Sequence, residues 1–191
     1  MSENSAGSRG RSPATFRVTF VPGVTLGKWS RIWEQRVRGV ELELTPVTDS
    51  DQLAALHDGL ADMSFVRLPV DRERLSMIPL YRETPVVVVP ADHVITAFEE
   101  VSVADLADEH LLQDMTPKEA IDVVATGAGV VIVPKSVARL YNRRDVTHRP
   151  VTGVAESQIG LAWLAEATDS RIEQFIGIVR GRTERSSRTD S

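Results

Sequence analysis

The sequence of 191 residues contains no cysteine. Disulfide bonds, thiolate metal ligands and nucleophilic thiols are therefore excluded, and a reducing compartment suits the chain. Aromatic residues are also scarce, at 5% of the chain, and the histidines number only four. These are His57, His93, His110 and His148. They show no paired metal-ligand spacing, so we expect neither a metal nor a cofactor.

Long hydrophobic runs are missing as well. The longest apolar stretches cover residues 85–89 and 129–134, which is far too short to cross a bilayer. Residues 1–15 are polar and lack the apolar centre of a secretory signal. We therefore expect a soluble, cytoplasmic protein that does not associate with membranes.

The charge balance is mildly acidic, with a formal net charge of −5. A domain that holds nucleic acid by itself is normally basic, because neutralising phosphates supplies most of the non-specific affinity. The chain is 42% hydrophobic and 26% charged, which is typical of a folded globular domain. We expect a folded domain that does not bind nucleic acid directly.

The first seventy residues predict a β-α-β-α-β order. Period-two patterns indicate strands at residues 16–21, 40–45 and 62–66, and helical spacing indicates a helix starting near Thr25. A capping-box-like segment at residues 49–52 precedes Leu53, Leu56 and Leu60, which share one helical face. This order predicts a parallel sheet with crossover helices, hence an α/β fold.

The remainder of the chain continues the alternation. Strands are predicted at residues 75–80 and 85–89, the second apolar throughout and so central in its sheet. Thr116 and Glu119 are predicted to form a capping box around Pro117. Gly127 is predicted to end that helix, because glycine readily adopts the left-handed backbone conformation common at helix C-termini. Further elements are predicted as a strand at 129–133, a helix capped by Ser136, an extended segment at 146–151, a strand at 159–164 and a last helix opened by Thr168.

Turn signals near Pro90 and Gly153 predict an inserted second lobe. The expected organisation is a flexible leader (residues 1–15), a discontinuous lobe I (16–90 plus 154–180), lobe II (91–153) and a flexible tail (181–191).

Four segments, taken in order, resemble the effector-binding domain of LysR-type transcriptional regulators. They are residues 56–63 (LHDGLADM), residues 79–81 with 86–93 (PLY and VVVVPADH), residues 120–134 (AIDVVATGAGVVIVP) and residues 159–179. The resemblance implies a two-lobed type 2 periplasmic-binding-protein-like fold with mostly parallel sheets and helices on both faces. It also implies a small ligand in the cleft and dimerisation through lobe edges.

The chain departs from the family pattern in two places. Such regulators start with a winged helix-turn-helix and a linker helix, whereas only residues 1–15 precede the first strand here, so we expect no direct DNA binding. The family also has a helix and a strand between the positions matching Asp114 and Met115. Either lobe II is shortened, or the sequence lacks a segment that the protein has.

Candidate ligand-binding residues lie where the strands of an open sheet end. Pro22, Gly23, Val24 and Thr25 connect the first strand to the first helix, whose free N–H groups attract anions. Arg67, Leu68 and Pro69 end the third strand, and an arginine there suits a carboxylate ligand. Thr116 would face the cleft from lobe II. A plain turn, a surface ion pair and a helix cap are the competing structural interpretations of these three groups.

The leading hypothesis is a module that senses a small molecule, with an acidic metabolite as the expected ligand, and acts through a dimer mate or a protein partner. An enzyme is not expected, because no nucleophile elbow or serine, histidine and acid set is present. Two alternatives remain. One is a protein-interaction module with a vestigial cleft, and the other is a solute-binding protein, which the missing signal and lipid-anchor cysteine disfavour.

Overall fold

The computed structural model describes residues 14–181, so the predicted leader and tail lie almost wholly outside the described residues. The strands in this range are β1 (Ala14–Phe20), β2 (Val40–Pro46), β3 (Met63–Leu68), β4 (Leu75–Glu83), β5 (Pro85–Pro90), β6 (Val101–Ser102), β7 (Val131–Pro134), β8 (Val146–Thr152) and β9 (Ser157–Leu164). The α-helices are α1 (Gly27–Arg36), α2 (Ala54–His57), α3 (Pro117–Val124), α4 (Lys135–Leu140) and α5 (Ser170–Val179). Short 3₁₀ helices cover Val94–Ala97 and Val103–Leu106.

Sheet 1 has the strand order β2-β1-β3-β9-β4. Strands β2 and β3 both run parallel to β1, which confirms the parallel β-α-β-α-β unit predicted from the first seventy residues. Strand β9 returns from the far end of the chain and inserts between β3 and β4, antiparallel to both. Sheet 1 is therefore parallel on one side and antiparallel on the other.

Sheet 2 has the order β6-β8-β5-β7. The all-apolar β5 lies between β8 and β7, as predicted, and is antiparallel to both. Only β6 adds a parallel pairing here, to β8. The α/β class is confirmed, but the sheets of the described residues are mixed. Mostly parallel strands were predicted because the sequence shows helical segments between strands, and such crossovers join parallel strands. Antiparallel pairing between strands far apart in the chain leaves no such signal in the sequence.

The chain passes between the two sheets twice, at Thr84 between β4 and β5 and at residues 153–156 between β8 and β9. The sequence assigned β5 to lobe I, with the boundary after Pro90. The partners of β5 are β7 and β8, so the first passage comes before β5. Pro90 ends the strand because proline cannot donate a ladder hydrogen bond, and it does not mark a change of sheet.

The core of sheet 1 is built from stacked aromatic rings. Trp33 is fully buried, stacks on Phe16 with ring centroids 4.9 Å apart, and donates its indole N–H to Val40 O at 3.1 Å. Trp29 stacks on Phe65 at 5.0 Å. Both tryptophans therefore contribute to the core of sheet 1.

A second core lies between β5 and the pair α3 and α4. Val86, Val88, Ile121, Val124 and Val137 are its buried centre. The chain reaches α3 by a short link, residues 112–115, that follows the bridge between Leu111 and Val130. Neither a helix nor a strand stands in this described link.

Several predicted helix starts were wrong by one or two residues. Helix α1 begins at Gly27 with Leu26 as its N-cap, so Thr25 lies outside it and is exposed. Helix α4 begins at Lys135, which leaves Ser136 inside the first turn instead of at the cap. Asp169, and not Thr168, caps α5.

Two further predictions about helices had opposite outcomes. Thr116 and Glu119 form the predicted capping box of α3, and Gly127 has φ of 79°. In contrast, α2 is a single turn and Leu60 is 64% exposed. The predicted continuation of the Leu53, Leu56 and Leu60 face was wrong, because the helix ends before Gly59, whose φ is 68°.

Candidate functional site

Arg67, next to the end of β3, is the centre of a polar cluster. Its Nε donates to Glu83 Oε2 at 2.7 Å, and its Nη2 donates to Glu83 Oε1 at 3.2 Å and to Pro22 O at 2.7 Å. Its Nη1 forms an ion pair with Asp49. The Arg67 side chain is only 11% exposed. Its charge is therefore already balanced by two carboxylates of the same chain.

Glu83 is the last residue of β4 and the one charged residue among the buried side chains of residues 14–181. Besides Arg67, two hydroxyls donate to its carboxylate: Ser136 Oγ to Oε1 at 2.9 Å, and Ser157 Oγ to Oε2 at 2.7 Å. Burial alone would raise the pKa of Glu83, but the hydrogen bonds from Arg67 and Ser157, with that of Ser136, hold it below its usual value. The carboxylate is thus ionised and fully engaged.

The predicted segment Pro22, Gly23, Val24 and Thr25 lies beside this cluster. Pro22 contributes its carbonyl to Arg67, and Val24 is buried in the core of sheet 1. A β-carbon added at Gly23 would lie 2.5 Å from Ser136 Oγ. The segment therefore touches α4 directly, and the position expected to accept a ligand is in contact with protein.

An open groove of about 280 Å³ lies next to the cluster. It is lined by Leu68, Pro69, Val70, Arg72, Glu156 and Gln158. The predicted Leu68 and Pro69 are thus among the residues that line this groove. Glu156 forms an ion pair with Arg82 at 3.3 Å, which leaves the exposed Arg72 as the cation best placed to attract an anion into this groove.

Thr116 stands apart from these residues. Within residues 14–181, its side-chain and backbone hydrogen bonds remain in the first turn of α3, where its hydroxyl and backbone N–H donate to Glu119 Oε2 at 2.7 and 3.0 Å. The structure therefore brings together residues 22–25 and 67–69, and shows Thr116 acting as a helix cap.

Sequence reasoning missed Asp49, Glu83, Ser136 and Ser157. Asp49 and Ser136 were read as helix-start residues, and Glu83 and Ser157 lie in strands that the predicted strands at 75–80 and 159–164 stopped short of. One signal was available: Glu83 lies only two residues before the first residue of a fully apolar strand, with Thr84 between them. An acid beside such a strand needs a buried partner if it is not exposed.

Residues 14–181 contain no group of three or more histidine, cysteine or acidic side chains placed to hold a metal ion. No helix in this part of the chain is long and apolar enough to span a bilayer.

The chain is similar to known regulators in sequence and fold. It is 23% identical to the HTH-type transcriptional regulator AlsR of Bacillus subtilis, over 84% of this chain and 63% of that protein. The chain thus spans less than two thirds of this relative's length. The aligned stretch is 194 residues long, although 84% of this chain's 191 residues is only about 160. The relative therefore has residues with no counterpart here.

Solved structures share the fold at low sequence identity. The BenM effector binding domain with its effector benzoate matches with a TM-score of 0.75 and 21% identity, covering 95% of this chain and 97% of that one. An OxyR mutant from Corynebacterium glutamicum with H2O2 bound matches with a TM-score of 0.72 and 21% identity, covering 90% of this chain and 69% of that one. The LysR substrate binding domain family matches residues 10–118, more than half of the sequence, and the chain belongs to this family.

Proposed function

We propose that this domain senses a small carboxylate with an apolar body, which binds in the groove beside β3 and the start of β9. The observation that carries the proposal is the composition of the groove. Leu68, Pro69 and Val70 supply an apolar wall, and Arg72 supplies an exposed cation. Ligand sites commonly combine apolar walls with a few such polar groups.

The charges favour Arg72 over Arg67 as the anchor of the carboxylate. Arg67 is shared by Glu83 and Asp49, and a third carboxylate beside them would be repelled. Among the residues that line the groove, Arg72 is the one cation, and the one acid, Glu156, is paired with Arg82. An arginine can hold a carboxylate with two parallel hydrogen bonds. The benzoate-bound structure of a fold relative supports the same ligand class.

The position of the groove suggests how binding would be transmitted. Glu156 lies in the passage from β8 to β9, and Gln158 follows it at the start of β9. A ligand held there contacts the segment that joins the two sheets, so its binding can favour one arrangement of the sheets over another. We infer that this change acts on a dimer mate or a protein partner in the cytoplasm. We do not propose that this acidic domain, with a net charge of −5, binds DNA directly.

A thermal-shift titration with benzoate and a set of aliphatic and aromatic carboxylates tests the site. Ligand at about 100 times its Kd should stabilise the domain by about 2.7 kcal/mol. The variant Arg72→Ala should weaken binding about 10- to 100-fold, the effect of one hydrogen-bonded charge. Arg72→Lys keeps the charge and should bind with intermediate affinity.

Arg74→Ala is the matched control. Arg74 is also exposed and close in sequence, but it pairs with Glu166 away from the groove. This variant should retain the shift. Equal affinity in the parent and Arg72→Ala would contradict the assignment of Arg72, and no shift with any carboxylate would contradict the ligand class.

A protein-interaction module without a ligand is the second candidate. The contact between Gly23 and Ser136 supports it, because protein occupies the place where the residues after β1 were expected to meet a ligand. A domain that gives no thermal shift with any small molecule, yet is dimeric in light scattering, would favour this alternative.

A further inference from the structure

Glu83 occupies an unusual place in the topology. It is the last residue of β4, immediately before the first passage from sheet 1 to sheet 2. In the sheet register its partner is Ser157, the first residue of β9 after the second passage. A buried carboxylate therefore sits where both connecting segments run side by side.

The donors to this carboxylate come from both halves of the structure. Arg67 on β3 and Ser157 on β9 belong to sheet 1, whereas Ser136 belongs to α4, which packs on β5 and β7 of sheet 2. Four hydrogen bonds with lengths between 2.7 and 3.2 Å converge on the two carboxylate oxygens. Charge-assisted bonds of this kind are about twice as strong as neutral ones.

The contact between the halves extends beyond Glu83. Gly23, in the loop after β1, lies so close to Ser136 that a side chain at position 23 would clash with it. Ser136 therefore has sheet 1 residues on two sides, the Gly23 backbone and the Glu83 carboxylate. Moving α4 away from sheet 1 would break the Ser136 hydrogen bond and expose the Glu83 carboxylate to water.

We propose that Glu83 acts as a built-in carboxylate that joins the two sheets through Ser136 and holds the domain closed without a ligand. The closed arrangement is then the resting state, and an effector in the neighbouring groove acts on an already closed domain. This inference concerns the ligand-free chain and stands or fails separately from the proposed ligand.

Ser136→Ala is the most selective variant for a test. It removes the donor on the sheet 2 side, while Arg67 and Ser157 still satisfy the Glu83 carboxylate, so the fold of sheet 1 is retained. Ser157→Ala is its matched control, because it removes an equivalent hydroxyl donor to the same carboxylate but leaves the connection between the halves intact.

The distance between the halves can be measured with two spin labels. The chain has no cysteine, so Glu173→Cys on α5 and Asp108→Cys beyond the second 3₁₀ helix, both exposed, can be labelled specifically. Double electron–electron resonance is recorded on the ligand-free chain, diluted with unlabelled chain so that only intramolecular distances are read. Circular dichroism establishes that each variant is folded.

The parent and Ser157→Ala should give one narrow distance. Ser136→Ala should add a longer population, because losing a hydrogen bond to a charge shifts the closed-to-open ratio about 10-fold or more. A folded Ser136→Ala variant with the parent distribution would overturn the proposal. A parent that is mostly open without ligand, or an equal change in Ser157→Ala, would overturn it too.

Discussion

Gly23 and Ser136 approach each other so closely that a β-carbon on Gly23 would lie 2.5 Å from Ser136 Oγ and 3.0 Å from Ser136 Cβ. The backbone of Gly23 also has φ of 92°, in the left-handed region that residues with a side chain rarely adopt. Two independent restraints, one local and one between the halves of the domain, therefore require glycine here.

Replacing Gly23 with alanine should destabilise the domain. The positive φ alone costs about 1–2 kcal/mol, and the added methyl group must displace Ser136, which is also hydrogen-bonded to Glu83. We expect a loss of about 2 kcal/mol or more in the free energy of unfolding, measured by urea denaturation and followed by circular dichroism.

Gly27→Ala provides the comparison for this change. Gly27 begins α1, and a β-carbon there has no atom within 4 Å. Alanine is favoured over glycine in a helix by up to about 1 kcal/mol, so this variant should be neutral or slightly stabilised. A Gly23→Ala variant as stable as Gly27→Ala would contradict the close contact with Ser136.

Local patterns explain why much of the fold could be predicted. The capping box at Thr116 and Glu119, the apolar β5 and the parallel β1–β3 unit each depend on residues close in sequence. The periodicity of such segments is a direct consequence of helix and strand geometry. Turn signals near Pro90 and Gly153 indicated the inserted second lobe, and the family resemblance implied the same two-lobed fold.

The polar cluster could not be predicted in the same way. Arg67 was singled out correctly as a residue at the end of a strand, but its partners Glu83 and Asp49 are 16 and 18 residues away in sequence. The sequence alone does not determine whether an arginine binds a ligand or forms an ion pair with an acidic residue of its own chain. That choice depends on the register of β9 between β3 and β4, which is a long-range property.

Thr116→Ala should lower stability without affecting ligand binding. The hydroxyl of Thr116 accepts from the backbone N–H of Glu119 at 3.4 Å and donates to its side chain at 2.7 Å. Loss of an N-cap of this kind costs about 1 kcal/mol. Thermal melts with and without an effector carboxylate should show a lower starting Tm and an unchanged ligand-induced shift.

Ser102→Ala is the control for the loss of a capping box. Ser102 caps the second 3₁₀ helix with the same reciprocal bonds to Asp105. Both variants should be destabilised by similar amounts. If Thr116→Ala instead abolished the ligand-induced shift while Ser102→Ala retained it, Thr116 would be a ligand contact after all.

The unfolding free energy should depend on pH through Glu83. Its pKa is lowered in the folded chain, where burial acts against the stronger combined effect of hydrogen bonds from Arg67, Ser157 and Ser136. In the unfolded chain a glutamate titrates near about 4.3. Below that pH the unfolded state binds more protons than the folded one, so acid favours unfolding. The contribution is therefore complete above the unfolded pKa and is lost as the pH falls through the folded one.

The variant Glu83→Gln isolates this contribution, because it keeps the shape of the side chain and removes the titrating group. Charged and titratable neighbours that act on Glu83 are Arg67 from β3, with its partner Asp49, and Tyr81 from β4. In urea titrations we expect the parent and Glu83→Gln to respond alike above about pH 5, and the parent to lose more stability as the pH falls below about 4.3, the unfolded pKa. Glu173→Gln, the same change on an exposed face of α5, should follow the parent. If Glu83→Gln also followed the parent, the pKa of Glu83 would be the same in the folded and unfolded chains. That result would refute the charged pair between Glu83 and Arg67.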